Sequence, residues 1–505
     1  MTQSTLLTHW GPFLLDTEDN KVVDVRAHPA DPDPSPLGQS LRQSQQCRVA
    51  RPSVRRSWLE HGPGTRTDQR GHDPFVEVDW DEALDMVANE LARVRDTHGH
   101  RAIFGGSYGW SSAGRFHMSS GQTVRFFRQF GGYTDAWGTY SSSAAEAIVP
   151  YVLGIGYHQA LAQQTSWHTI SEHCELFVSF GGLRVSNTQV TYGGQGPHHT
   201  GAWLKRCRER DVAFINISPL RDDLDADLAP RWIHPTPGTD VALMAAIIHT
   251  LVVDGMHDRA FLETYCTGWD RLEAYLLGHS DGVEKSAQWA SGITGLASDT
   301  ITSLAREMRA KRTLINLTLA IQRQDHGEQS YWMAIALAAA LGQIGLPGGG
   351  VAFTFGSAGN TGAGQTRKRI PGLPMPKRPS ETTTISVSRI TELLEANGGT
   401  FDFNGAQETF PDTRMVYWCG GNVFHHHQDL NLMIGALQLS TGAWYDPDAD
   451  GMCKHGNPNV LTRDKGTSKL AQGPSAHTCL VQVERFKGLV PSVTAFDPPP
   501  FVPRP

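Results

Sequence analysis

The spacing of hydrophobic positions changes after residue 75. In residues 1–75, short apolar runs such as Phe13 to Leu15 and Val22 to Val25 are interrupted by proline and aspartate. This pattern predicts a β-rich segment with many loops. Beyond residue 75, segments with helical spacing alternate with short continuous apolar runs. Alternation of helices and buried strands is typical of α/β domains.

The first helical segment begins at Asp79. We expect Asp79 and Glu82 to form a capping box and Gly99 to end the helix. Ala102 to Phe104 then forms a buried strand that enters a glycine turn. Apolar side chains recur at helical spacing between these ends, at Leu84, Val87, Ala88, Leu91 and Val94.

The same order of elements recurs along the chain. We predict strands at Leu176 to Phe180, Val212 to Ile217, Thr313 to Ala320 and Met415 to Trp418, and helices at Gly201 to Glu209, Asp240 to Val253 and Gln329 to Ile344. Residues 356–383 are rich in Gly, Pro and Thr and are predicted to be a long loop. Doubly wound α/β domains bind ligands at the carboxyl ends of their strands, several of which here run into glycine pairs.

Composition narrows the class of protein. The 505 residues include 44 basic and 51 acidic side chains, for a net charge of −7, and the mean hydropathy is −0.33. These values indicate a multi-domain globular protein and give no basic face for nucleic acid, so we expect no nucleic-acid partner. Glycine is abundant at 52 residues, which favours close approach of the backbone to a large cofactor.

The seven cysteines are dispersed singly, without a C-x-x-C motif. We therefore expect no zinc ribbon, no covalent haem and no iron–sulfur cluster. The N-terminus has no basic region followed by a long apolar core, and no apolar stretch of about 18 residues occurs later. We expect a cytoplasmic protein without a membrane anchor.

Two loops in the first third of the chain carry candidate chemistry. The first, Gly105 to Arg115, holds Tyr108 and Trp110, whose O–H and N–H groups can donate to an oxygen atom in a dry pocket. Core packing is the alternative role for these aromatic side chains. The second loop, Tyr140 to Glu146, contains three consecutive serines. Simple capping of a helix N-terminus is the alternative there.

Two further candidate loops lie near the C-terminus. Cys419 to Asp429 contains Gly420-Gly421-Asn422 and three consecutive histidines, His425 to His427. Consecutive side chains point in different directions, so a metal site made from all three histidines is disfavoured, and a nucleotide- or pterin-contacting loop fits better. Cys453 to Thr462 is rich in amide side chains, for which a cluster of surface turns is the alternative.

These motifs, taken in order, resemble the dimethyl sulfoxide reductase family of molybdopterin oxidoreductases, and within it the biotin sulfoxide reductase branch. The resemblance covers nearly the whole chain. It rests on Ser107-Tyr108-Gly109-Trp110, Tyr140-Ser141 before Ala144-Ala145-Glu146, Gln322 to Gln329, Gly420-Gly421-Asn422 with Phe424 to Asp429, and His455-Gly456-Asn457-Pro458-Asn459. It implies an α/β fold with doubly wound lobes and a remnant of a C-terminal β-barrel.

The resemblance also implies a cofactor and a set of site residues. The cofactor would be molybdenum bound by bis(molybdopterin guanine dinucleotide), without an iron–sulfur cluster. Ser141 stands where the family's serine ligates molybdenum, and an ionised serine oxygen is a hard ligand suited to a high-valent metal. Tyr108 and Trp110 stand where the family hydrogen-bonds the substrate oxygen. The implied cofactor-binding residues are Arg115, Gly182, Ser218, Asp240, Gln322, Arg323, Gly421, Asn422, His455, Asn457 and Asn459.

The chain departs from the family pattern in two places. Leu319 stands where the nearest motif often has tryptophan, which predicts a wider pocket. The sequences on either side of Leu437 resemble two family segments that are far apart along the chain of full-length members, which indicates an internal deletion. We therefore predict a β-rich segment at 1–75, a first cofactor lobe from 76–150 with 385–437, a second lobe at 151–384, and a remnant C-terminal domain at 438–505.

The implied activity is reduction of an S-oxide or N-oxide, such as biotin sulfoxide, by oxygen-atom transfer. Electrons would come from an unidentified external donor. A trimethylamine N-oxide or dimethyl sulfoxide reductase is an alternative, as is a catalytically impaired pterin-binding fragment left by the deletion. A generic dinucleotide-binding dehydrogenase is disfavoured because no G-x-G-x-x-G follows a strand.

Overall fold

The computed structural model describes residues 2–19, 21–43, 51–63, 73–106, 118–363, 374–419 and 478–482, the last as a backbone strand. The strands are β1 (Thr2–Thr8), β2 (Gly11–Glu18), β3 (Lys21–Ala27), β4 (Ser53–Arg55), β5 (Phe75–Glu77), β6 (Ile103–Gly106), β7 (Thr134–Trp137), β8 (Leu176–Phe180), β9 (Ala213–Ile217), β10 (Arg231–Ile233), β11 (Thr313–Leu317), β12 (Gly350–Phe353), β13 (Thr383–Ser386), β14 (Thr400–Phe403), β15 (Ala406–Thr409), β16 (Met415–Cys419) and β17 (Thr478–Gln482). The helices are α1 (Arg56–His61), α2 (Trp80–His98), α3 (Ser119–Phe130), α4 (Ser143–Leu153), α5 (Tyr157–Gln163), α6 (Trp167–His173), α7 (Thr200–Glu209), α8 (Asp240–Val253), α9 (Arg259–Tyr265), α10 (Trp269–Leu276), α11 (Ala287–Thr294), α12 (Ser298–Ala310), α13 (Glu328–Ala340) and α14 (Ile390–Glu395).

The N-terminal strands form a small antiparallel sheet. β1, β2 and β3 pair in sequence order, and they contain the short apolar runs that the sequence analysis assigned to strands. Phe13, which is 1% exposed, packs with Leu15, Val25 and Leu41 to form its core. The alternation of buried and exposed positions along β3 is typical of a sheet with one face in solvent.

Helix α2 begins and ends where the sequence predicts, but its capping differs from the prediction. Gly99 ends the helix with φ of 85°, a left-handed value that glycine adopts without steric cost. The expected capping box was wrong, because the Asp79 side chain makes no capping hydrogen bond. Its carboxylate instead pairs with Arg51, with 3.1 Å between Oδ1 and Nη1, and a charged donor competes well with a backbone amide.

The first parallel sheet has the strand order β13-β7-β6-β16, with β17 antiparallel on the edge beside β16. Chain order reverses between β6 and β16, so this sheet has a topological switch point there. Gly106 and Trp418 are paired across the switch point. The carboxyl ends of β6 and β16 therefore lie side by side.

The second parallel sheet has the strand order β10-β9-β8-β11-β12, with all neighbours parallel. Its switch point lies between β8 and β11. Strand β11 ends at Leu317 and is followed by a 3₁₀ turn at Leu319–Gln322, so the strand predicted to reach Ala320 was too long. The Thr318 hydroxyl donates to Gly181 O (3.1 Å) at the end of β8, which fixes the point where the chain leaves the sheet.

Helix α8 lies at the centre of the helices that pack beside the second parallel sheet. Its residues from Ala242 to Leu251 are buried on every face, and it packs against α10, α11, α12 and α13. A helix that is apolar all round is typical of the interior of a large domain. Its bounds match the prediction, whereas α13 ends at Ala340, four residues earlier than predicted, before Gly342 turns the chain with φ of 68°.

Two parallel sheets with helices confirm the predicted α/β fold. The barrel remnant and the four domain boundaries stay predictions. Within the ranges given above, every helix is too short or too polar to span a lipid bilayer.

We predict that Leu243→Ala lowers the free energy of unfolding by about 2 to 5 kcal/mol, because the substitution leaves a cavity at a fully buried position of α8. Val253→Ala is the matched control on the same helix, since Val253 is 60% exposed, and it should change the free energy by less than about 0.5 kcal/mol. Denaturant unfolding of both variants measures the difference. Equal effects would contradict the central place of α8.

Candidate functional site

A cavity of about 2610 Å³ lies at the carboxyl ends of both parallel sheets. The described part of its wall includes the loop after β7, the turn after β13, the segments after β11 and β12, helix α3 and the region of α5 and α6. Typical sites for small ligands measure roughly 300 to 1,000 Å³. This cavity therefore has room for a ligand much larger than an ordinary metabolite.

Ser141 lies on the cavity wall, in the loop between β7 and α4. The hydroxyl groups of the two serines that follow it form local hydrogen bonds. The Ser142 hydroxyl donates to Glu146 Oε1 (2.6 Å), and the Ser143 hydroxyl donates to Thr139 O (2.5 Å). Among the described residues, the Ser141 hydroxyl has no hydrogen-bond partner, although its amide donates to Thr139 Oγ1 (3.2 Å). The local bonding at the start of α4 thus leaves the predicted metal ligand free.

Arg323 adds a positive charge to the same wall. In the part of the chain that the structure describes, no carboxylate pairs with its guanidinium. Surrounding protein lowers the pKa of this side chain through desolvation, and the hydroxyl of Tyr331 partly offsets that effect. An unpaired guanidinium that faces a cavity is well suited to bind an anionic group such as a phosphate.

Gln322 also borders the cavity, but its polar atoms are engaged within the protein. Oε1 accepts a hydrogen bond from the Ala145 amide (2.8 Å), and Nε2 donates to the Tyr331 hydroxyl (3.3 Å). The side chain is 4% exposed. Of the predicted site residues, Ser141, Gln322 and Arg323 are therefore brought together at one cavity.

Two other predicted residues, Gly182 and Ser218, lie at the carboxyl edge of the second sheet and do not line this cavity. Both contact Asp223. The Ser218 hydroxyl donates to Asp223 Oδ2 (2.5 Å), and Leu183 N donates to Asp223 O (2.7 Å). Gly182 has φ of 80°, and a Cβ there would collide with the Asp223 side chain. Asp223 thus holds the ends of β8 and β9 together.

Asp240 is the first residue of α8 and is 9% exposed. Burial raises the pKa of its carboxyl group to about 6, and its own backbone amide partly offsets this rise. Among the described residues, no other side chain donates a hydrogen bond to it. The turn before it approaches the cavity, because a Cβ on Gly238 would lie 2.8 Å from Gln324 Oε1, and Gln324 lines the wall.

Asp135, in β7, places a carboxyl group on the cavity wall. Burial raises its pKa, while the Tyr133 hydroxyl and the Arg378 guanidinium act in the opposite direction. Arg378 Nη1 lies 3.8 Å from Asp135 Oδ2. This pairing joins β7 to the segment that precedes β13.

Several predicted site residues lie outside the described residues. They are Tyr108, Trp110, Arg115, Gly421, Asn422, His455, Asn457 and Asn459, and the histidines from His425 to His427. The strands that lead to two of these loops, β6 and β16, are described up to Gly106 and Cys419.

Sequence reasoning overlooked three residues that shape the site: Thr139, Asp223 and Tyr331. Thr139 adjoins a motif that had been singled out, so its position two residues before Ser141 was an available signal. Asp223 and Tyr331 gave no such signal, because their hydrogen bonds connect separate elements.

The sequence of this chain matches two known protein families. Residues 48–449 match the family described as molybdopterin oxidoreductase, and residues 7–45 match the molybdopterin oxidoreductase N-terminal domain. The first match covers most of the chain, including both parallel sheets apart from strand β17.

Three enzymes illustrate the similarity. The dimethyl sulfoxide/trimethylamine N-oxide reductase of Rhodobacter capsulatus is 37% identical over 85% of this chain and 53% of its own length. The biotin sulfoxide reductase of Cereibacter sphaeroides is 41% identical over 82% of this chain and 55% of its own length. The trimethylamine-N-oxide reductase of Haemophilus influenzae is 37% identical over 85% of this chain and 53% of its own length.

The chain spans about half the length of the curated relatives it matches. Among solved structures, acetylene hydratase from Pelobacter acetylenicus covers 66% of this chain and 42% of its own, with a TM-score of 0.47 and 18% identity. The family match and the sequence identities confirm the resemblance to dimethyl sulfoxide reductases. This protein belongs to the molybdopterin oxidoreductase family, whose members bind molybdenum through a molybdopterin cofactor.

Proposed function

We propose that this chain reduces an S-oxide or N-oxide by oxygen-atom transfer, with molybdenum bound by bis(molybdopterin guanine dinucleotide) in the cavity. The observation that carries the proposal is the free Ser141 hydroxyl on the wall of a cavity that both parallel sheets border. The relatives named above are reductases of sulfoxides and N-oxides, which supports the same class of substrate. Electrons come from an external donor in this scheme.

The residues of the cavity fit such a cofactor. A free hydroxyl is a suitable hard ligand for molybdenum, and an unpaired guanidinium is a suitable partner for a pyrophosphate. Ser141 would hold the metal, and Arg323 would neutralise the anionic part of the cofactor. When bound, the cofactor supplies the two-electron chemistry of oxygen-atom transfer.

The proposed mechanism also includes Tyr108 and Trp110, whose roles rest only on the family resemblance. Each would donate a hydrogen bond to the substrate oxygen. Negative charge grows on that oxygen as its bond to sulfur or nitrogen breaks, so a donor held in place stabilises the transition state more than the bound substrate.

Asp240 is proposed to bind the guanine base of a dinucleotide, with Ser218 and Gly182 shaping the nearby edge of the sheet. A guanine base carries adjacent N–H donors, which match the two oxygens of a carboxylate. The Asp240 carboxyl group is buried and has only its own backbone amide as a donor among the described residues. Such a group gains stability when a ligand supplies donors.

Leu319 bears on the size of the substrate. It lines the cavity next to the segment that carries Gln322 and Arg323. A leucine is smaller than the tryptophan that the nearest family motif often has at this place. We therefore favour a bulky S-oxide of the biotin sulfoxide type over a small one such as dimethyl sulfoxide or trimethylamine N-oxide.

A pterin-binding chain with impaired chemistry is the second candidate. The observation that favours it is the length of the chain, which spans about half of its relatives. A cofactor that is only partly covered would dissociate more readily. Molybdenum and guanine nucleotide without S-oxide reduction would identify this alternative, and turnover with biotin sulfoxide and a reduced viologen dye would exclude it.

We predict that Ser141→Ala lowers the rate of S-oxide reduction by more than about 100-fold. Mutation of a residue that only hydrogen-bonds to a metal ligand typically lowers activity by about 10- to 100-fold, and loss of the ligand itself should lower it further. Cofactor content should stay close to that of the unmodified chain, because the nucleotide sites lie elsewhere. Ser142→Ala is the matched control, since its hydroxyl bonds to Glu146. Unchanged turnover in a fully metallated Ser141→Ala protein would contradict the assignment.

Asp240 generates a prediction about pH. Its folded pKa of about 6 lies above the usual 3.8, so the folded state binds more protons between these values and its stability falls as the pH rises through them. The loss in free energy of unfolding is absent below about pH 4 and complete above about pH 6. A pKa difference of two units corresponds to a loss of roughly 3 kcal/mol.

Asp240→Asn should remove this loss in cofactor-free protein. The difference in unfolding free energy between the variant and the unmodified chain should therefore grow from about pH 4 to about pH 6 and then level off. Denaturant unfolding at several pH values measures it. A difference independent of pH would show that Asp240 keeps an ordinary carboxyl environment.

A further inference from the structure

Gln322 connects the two parallel sheets beside the cavity. Its Oε1 accepts from the Ala145 amide at the start of α4, which follows the first sheet (2.8 Å). Its Nε2 donates to the Tyr331 hydroxyl on α13 (3.3 Å), and that hydroxyl donates to Thr318 O at the end of β11 (3.3 Å). One buried carboxamide thus links the ends of elements from both sheets.

The Ala145 amide depends on this link. It belongs to the first turn of α4, where backbone N–H groups have no acceptor within the helix. Ala145 is 0% exposed, so bulk water cannot readily take the place of the carboxamide. An unpaired buried N–H is costly, and Gln322, which follows β11, therefore caps the first turn of α4.

The Gln322 side chain is held firmly on its own side. Tyr331 is 0% exposed, and its hydroxyl bonds to both Gln322 and Thr318. Gly327 packs directly on the Gln322 backbone, since a Cβ on Gly327 would collide with the Gln322 carbonyl group. The second sheet therefore sets where the carboxamide stands, and it adds a polar bond to a helix that already packs against α13.

The first turn of α4 in turn controls the Ser141 loop. The Thr139 amide donates to the Ser143 hydroxyl (2.6 Å), and the Ser143 hydroxyl donates to Thr139 O (2.5 Å). The Ser141 amide bonds to the Thr139 hydroxyl (3.2 Å). A shift of the turn at Ala145 is thereby transmitted to the residue proposed to bind the metal.

We infer that Gln322 is a positioning residue that fixes the Ser141 loop across the two sheets, and that it acts through Ala145 instead of contacting the cofactor directly. The Gln322 oxygen and one of the two N–H groups on Nε2 are already engaged within the protein, and the side chain is only 4% exposed. The consequence for molybdenum rests on the proposed function, whereas the link between Gln322 and the loop does not.

Hydrogen exchange of the full-length chain, followed by mass spectrometry on peptides from 139–149, tests the inference. Gln322→Met keeps the size of the side chain and removes both hydrogen bonds. Gln322→Glu keeps an oxygen acceptor for Ala145. Tyr331→Phe removes the anchoring hydroxyl and leaves the bond between Gln322 and Ala145, so it is the matched control.

We expect Gln322→Met to speed exchange in 139–149 by about tenfold, the size expected for one buried hydrogen bond. Gln322→Glu should restore slow exchange, and Tyr331→Phe should have a smaller effect than Gln322→Met. Molybdenum and guanine nucleotide content should be similar in all variants, while X-ray absorption of the bound molybdenum should change in Gln322→Met.

Unchanged exchange in Gln322→Met, together with loss of cofactor, would overturn the inference and indicate direct contact. Failure of Gln322→Glu to slow exchange would also contradict it. An unmodified chain without molybdenum or guanine nucleotide would contradict the proposed function instead, and the exchange comparison would still decide whether Gln322 holds the loop.

Discussion

The hydrogen bond between the Ala145 amide and the Gln322 carboxamide joins the two segments that carry Ser141 and Arg323 at the candidate site. Strands of a parallel sheet all present their carboxyl ends at one edge, so each sheet alone would give only half of a cavity wall. Here the loops after β7 and β11 meet, and a buried carboxamide joins them. The geometry at Ser141 is therefore a property of both sheets together.

The distribution of bonded and free polar groups gives the cavity its chemical character. Ser142 and Ser143 satisfy the start of α4, which leaves the Ser141 hydroxyl available. Both polar atoms of the Gln322 side chain form hydrogen bonds within the protein. The adjacent Arg323, by contrast, has no carboxylate partner in the described part of the chain. Neighbouring residues thus have different roles, since some hold the wall in place and others are available to bind the ligand.

The sequence predicts this fold best where apolar runs are continuous. Leu176–Phe180 and Asp240–Val253 were predicted with their observed bounds, because a fully buried strand or helix has a clear pattern. Asp79 bonds to a distant arginine instead of capping its helix, and no local pattern reveals that choice. The motifs singled out Ser141 and Gln322, but the partner of Gln322 lies 177 positions away, so its structural role emerged only from the fold.

The central claim is that the cavity between the sheets holds a molybdenum cofactor with guanine nucleotide. Its most direct test is the molybdenum and guanine nucleotide content of the purified full-length chain, produced in a host that makes molybdopterin guanine dinucleotide. The account predicts that both bind to the chain and remain with it through size-exclusion chromatography. Folded protein that contains neither would contradict the claim.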